Sequence, residues 1–191
     1  NILSKFMESK DFHNLGAVSK HWIKVQEFMN LKRENIFLKT HSAFCNINGN
    51  VFTDNNNTSA FIYIVRDPRN VILSLSNHFG ITHEESFKII TNERHIIYPK
   101  INEQIIPSTL VGSWNNHYSS WKNCDSISKI IIKYEDLINN TKDTFKKIIT
   151  FLDKKTQIKY DEKKIINSIN TTQFDNLKKN EEKYGFNMGQ K

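Results

Sequence analysis

Between residues 15 and 29, apolar side chains return every three or four positions, at Val18, Trp22, Val25 and Met29, with Lys20 and Lys24 outside the set. That period predicts an amphipathic helix. Residues 35–41, "NIFLKTH", are a short apolar run ending on Lys39, Thr40 and His41, and read as a strand. After a polar, turn-rich loop, "FIYIV" at 61–65 is apolar throughout, as in a strand covered on both faces of a parallel sheet. Asp67 then stands where a helix cap belongs and Pro68 at the first helical position. The helix they open runs to about Phe79 and stops at Gly80. "THEE" at 82–85 is a capping box for another helix. Trp114, His117, Tyr118 and Trp121 share one helical face. "SKIIIKY" is a third strand, closed by Tyr134. A helix from Thr141 buries Phe145, Ile148, Ile149 and Leu152, and one or two more carry Ile165, Ile166, Ile169, Phe174 and Leu177.

Strands separated by helices imply right-handed crossovers, so the fold class is α/β, a parallel sheet flanked by helices, within a single domain over 1–191. Composition narrows the partners. The chain carries 27 Lys and Arg against 20 Asp and Glu, a net charge of +7, which suits an anionic ligand. Cys45 and Cys124 stand alone, without the spacing of a zinc site or a disulfide framework, so no metal is expected and a reducing, cytoplasmic setting is. Neither a membrane-spanning run nor a signal peptide is visible. Asn-x-Ser/Thr at Asn56, Asn57, Asn139 and Asn170 is what chance provides in so Asn-rich a chain.

In a parallel sheet, ligands sit at the carboxyl ends of the strands. Here those ends are "KTH", "VRDPRN" and "KYED". Arg66 leaves a buried strand one residue before a helix cap, where its guanidinium fork suits a phosphate or carboxylate. Asn70, Ser74 and His78 follow at steps of four along one stripe of the helix, so Ser74 can add a hydrogen bond to the same anion. Strand alternation puts Lys39 and His41 on one side, a cation beside a base that titrates near neutrality. Tyr134 can touch a base or phosphate, and Glu135 and Asp136 suit the helix start.

Five segments in order, "LKTHSAF", "YIVRDPRNVILSLSNHF", "GSWNNHYSSW", "IIKYEDL" and "TTQFDNLKKNE", give the chain its resemblance to sulfotransferases that use 3′-phosphoadenosine 5′-phosphosulfate (PAPS), closest in flavour to bacterial members. The resemblance covers roughly residues 35–182. It implies the P-loop-nucleotide-hydrolase-like sulfotransferase fold. It implies His41 as the general base, Lys39 near the transferred sulfuryl group, and Arg66 with Ser74 on the 3′-phosphate. It places Tyr134 at the nucleotide and Thr172 and Phe174 at the adenine, and it gives Trp114 and Trp121 to the core.

Two pieces of the family pattern have no counterpart here. One is the early strand–loop–helix resembling "PKSGTTW" around the 5′-phosphosulfate. The other is a late "RKG" element at the 3′-phosphate. The expectation is therefore a chain truncated at both ends. PAPS is the implied co-substrate, no metal is needed, and the acceptor is a small molecule or glycan rather than nucleic acid or membrane. Its pocket is expected in 42–60 and 80–110. A kinase-like nucleotide enzyme and a non-catalytic nucleotide-binding module are the alternatives.

Overall fold

The helical period at 15–29 resolves into two helices, α1 (Leu15–Ser19) and α2 (Trp22–Asn30). Asn14 caps α1 through the Ala17 amide, at 3.0 Å. The Ser19 hydroxyl donates back to the Gly16 carbonyl at 2.9 Å, a local bond of the kind that competes with helix continuation. The apolar stripe survives the break. Val18 packs with Leu3 and the fully buried Phe12, while Met7, Trp22 and Val25 close over them.

The computed structural model describes residues 2–98, 107–156 and 158–185. The chain forms two compact units, Asn1–Ile131 and Ile132–Lys191. In the first, β1 (Asn46–Ile47) and β2 (Asn50–Val51) make a short antiparallel ladder. Then come β3 (Ala60–Val65), α3 (Pro68–Phe79), α4 (His83–Thr91) and β4 (Ile96–Ile97). β5 (Thr109–Leu110) pairs antiparallel with β4 and leads to α5 (Trp114–Lys122). β6 (Ser128–Lys133) makes the parallel pair with β3, and the division between the units falls inside it. The second unit continues with α6 (Tyr134–Asn139), α7 (Thr141–Asp153), α8 (Glu162–Thr171) and α9 (Phe174–Tyr184). Thr144, Ile148 and Leu152 are the buried residues of α7.

Local chemistry sets the α3 and α4 boundaries. Asp67 accepts the Arg69 amide at 2.9 Å, Pro68 occupies the first turn, and Gly80 ends α3 at φ 63°, a conformation open to glycine. The Thr82/Glu85 capping box forms in both directions. Before α5, Gly112 turns at φ 68°, where a Cβ would meet the Glu93 carbonyl at 3.3 Å, and Ser113 caps the helix through Asn116.

Three further expectations change. Residues 35–41 form no strand, and Phe37 and Leu38 stay 63% and 65% exposed. A strand needs a neighbour's amides and carbonyls, and β3 is paired with β6 instead. β3 itself is not covered on both faces, since Ile64 keeps 53% of its surface. Tyr134 opens α6 rather than closing β6, with Lys133 at the cap position and Glu135 and Asp136 in the first turn. Among the described residues no helix is long and apolar enough to cross a membrane.

Candidate active site

Residues 39–44 have no ladder, so their placement rests on individual bonds. Ala43 donates its amide to the Leu110 carbonyl at 2.8 Å. Ser42 Oγ donates to the same carbonyl at 3.5 Å. Three further ties come from one face of α5. His117 Nε2 lies 3.3 Å from the His41 carbonyl. Trp121 Nε1 donates to the Ser42 carbonyl at 3.0 Å. The Phe44 amide donates to Ser120 Oγ at 3.1 Å. Positions 117, 120 and 121 have the i, i+3, i+4 spacing that brings side chains to one side of a helix.

This arrangement leaves Lys39 and His41 at the surface on a segment whose next two residues, Ser42 and Ala43, are buried. Partial burial lowers the His41 pKa first, and the nearby Lys39 charge lowers it further. The imidazole is therefore neutral, and able to take a proton, below the pH at which an ordinary histidine becomes so. An NMR titration should place His41 below the usual histidine value of about 6.5. In Lys39→Met it should rise but stay under that value, because burial is the larger cause. A titration unmoved by the substitution would detach Lys39 from His41.

At the end of β3, Arg66 is half-buried and its carbonyl accepts Trp114 Nε1 at 3.2 Å, which ties that turn to α5 as well. The neighbouring carboxylate of Asp67 is engaged by Arg69, with Nη2 at 2.6 Å and Nε at 3.0 Å. The Arg69 hydrogen bonds, side chain first, hold the Asp67 pKa down at about 2. Asn70, Ser74 and His78 share an exposed stripe of α3, while Val71 and Leu75 are partly buried. Ser76 is the buried hydroxyl of this helix, bonded to the Leu73 carbonyl at 3.2 Å.

In the second unit, Tyr134 is partly exposed on the first residue of α6. Thr172 ends α8 with its hydroxyl on the Ser168 carbonyl at 2.7 Å. Phe174 opens α9, and its side chain lies outside the described residues, as do 99–106 of the predicted acceptor loops. Among the described residues no group of three His, Cys, Asp or Glu is placed to hold a metal ion.

Sequence reasoning passed over Tyr63 and assigned no chemistry to His117. Tyr63 Oη lies 2.8 Å from His117 Nδ1, and burial pushes its phenol up to about 12. A histidine within an aromatic helix face was the available signal, because a half-buried imidazole needs partners for both nitrogens.

A family model described as a sulfotransferase domain matches residues 3–185. A 3-alpha-hydroxysteroid sulfotransferase of Cavia porcellus is 29% identical over 122 residues, 63% of this chain and 39% of that protein. The crystal structure of mouse sulfotransferase SULT7A1 complexed with PAP is similar at a TM-score of 0.55 and 22% identity, over 81% of this chain and 52% of that one. The structural likeness shows a shared α/β fold. The chain spans about half or less of the length of these relatives.

Proposed function

The chain belongs to the sulfotransferase domain family, and from that premise we propose that its protein moves a sulfuryl group from PAPS to an acceptor hydroxyl or amine. The observation that carries the proposal is the family match over 3–185, and the lowered pKa of His41, from partial burial and then the Lys39 charge, supports reading it as the base. His41 takes the acceptor's proton as the new oxygen–sulfur or nitrogen–sulfur bond forms. Adenosine 3′,5′-bisphosphate leaves with the pair of the broken sulfur–oxygen bond. Lys39 supplies positive charge where the sulfuryl oxygens gain negative charge. Arg66 and Ser74 hold the 3′-phosphate, and Tyr134, Thr172 and Phe174 serve the nucleoside.

A small hydroxylated molecule is the first acceptor class to try, since the guinea pig relative is named for a steroid alcohol. Transfer of labelled sulfate from PAPS to a panel of phenols, sterols, amines and glycans tests the reaction. Binding tests the nucleotide assignment. A hydrogen bond to a charged group is worth about 1.5–3 kcal/mol, so Arg66→Ala should weaken adenosine 3′,5′-bisphosphate by roughly 10- to 100-fold. It should barely affect 5′-AMP, which has no 3′-phosphate. Equal losses for both ligands by calorimetry would remove Arg66 from the 3′-phosphate. A protein stabilised by ATP and indifferent to the bisphosphate would favour the kinase-like reading instead.

A further inference from the structure

The base-bearing segment is held through its backbone, and one of its holders is itself oriented. A backbone carbonyl only accepts, so the contact between His117 Nε2 and the His41 oxygen requires a proton on Nε2. A neutral imidazole protonated there has a bare Nδ1. The partner of Nδ1 is Tyr63 Oη at 2.8 Å, which must then be the donor. The reverse tautomer would face two lone pairs toward each other at the His41 end. Burial favours this neutral form of His117 and keeps Tyr63 protonated.

We propose that His117 is a positioning residue for the transfer reaction: the His41 carbonyl selects its Nε2–H tautomer, the Tyr63 hydroxyl satisfies the bare Nδ1 and orients the ring, and the Nε2–H holds the backbone of His41. The latch joins β3, α5 and the base segment, three parts distant in sequence, at a point where no strand ladder does so. Of the three ties from α5, this one touches the residue that carries the base. Trp121 holds Ser42 and Ser120 holds Phe44, so loosening His117 frees the His41 peptide without releasing the whole segment.

The catalytic part of this inference rests on the sulfuryl-transfer reading, whereas the hydrogen-bond pattern can be tested without it. Long-range proton–nitrogen NMR spectra of the intact labelled protein, with His117→Leu to assign the ring, should show a single Nε2–H form for His117. Tyr63→Phe should keep the Nε2–H form and shift the Nδ1 resonance, which loses its hydrogen bond. A wild-type ring protonated on Nδ1 alone would overturn the latch. In turnover, Tyr63→Phe should lower kcat about five-fold, the worth of one ordinary hydrogen bond, with KM for the donor nucleotide unchanged. His117→Leu should lower it further, and His117→Gln, whose amide can donate to the same carbonyl, should recover part of the loss. Full kcat in both Tyr63→Phe and His117→Leu would overturn the positioning role. Absence of turnover in the wild type would overturn the transfer reading and the catalytic role with it, while the spectrum judges the tautomer separately.

Discussion

His41→Ala is expected to lower kcat by about 10²–10⁴-fold, the range general-base assistance supplies. Binding of adenosine 3′,5′-bisphosphate should stay nearly unchanged. The separation follows from the geometry. The His41 side chain stands at the surface, and the ties of residues 41–44 to β5 and α5 run through backbone groups. Removing the imidazole therefore leaves the segment in place. It also leaves Arg66, the residue after β3, with its own tie to Trp114. Single-turnover rates with donor prebound, alongside calorimetry for the bisphosphate, separate the two effects. A variant that lost nucleotide affinity but kept its rate per bound enzyme would make His41 a binding residue. The remaining activity has a direction with pH as well. Wild-type kcat/KM should fall as pH drops through the His41 value, which partial burial and then the Lys39 charge lower, and this acid limb should vanish in the alanine variant.

Helix boundaries were legible because short-range chemistry decides them. Asp67-Pro68, the Thr82/Glu85 box and Gly80 each close a helix end with bonds no more than a few residues away. The strand at 128–133 was legible from its apolar run. "NIFLKTH" was not, because an apolar run becomes a strand only if a neighbour offers a ladder, and sequence pattern does not name that neighbour. The same gap hid the latch. Tyr63 and His117 are 54 positions apart, and His41 and His117 are 76 apart. Each looked like an ordinary member of its own element. The resemblance singled out Lys39, His41, Arg66 and Ser74 by motif. What their surroundings do to them came only from the fold: partial burial of His41, the pairing of Asp67 with Arg69, and the exposure of Ser74 on its stripe.

Trp121→Ala is the second large effect, and it falls on stability. The side chain is buried and its ring meets Phe61 at 4.7 Å, Phe44 at 5.4 Å and Phe52 at 6.1 Å between centroids. Truncating such a residue removes its transfer energy and leaves a cavity, at a cost of roughly 3–5 kcal/mol. At this chain length each kcal/mol moves Tm by roughly 2–4 °C, so the variant should melt well below the wild type in thermal and urea denaturation. Its indole N–H makes a different contribution, because it satisfies the Ser42 carbonyl next to the base. Trp121→Phe keeps most of the apolar surface and loses that bond, so it should cost about 1–3 kcal/mol, the range for a buried acceptor left unmade. The two substitutions thus separate cavity from bond. If the phenylalanine variant melted with the wild type, the Ser42 carbonyl would have another partner and Trp121 would be only a core filler. If it instead lost kcat out of proportion to stability, with folded protein confirmed by its spectrum, the same indole would be both packing the aromatic cluster and holding the peptide that follows His41. The segment has no ladder of its own, so single bonds hold it, and Trp121 supplies one of them from the buried aromatic cluster.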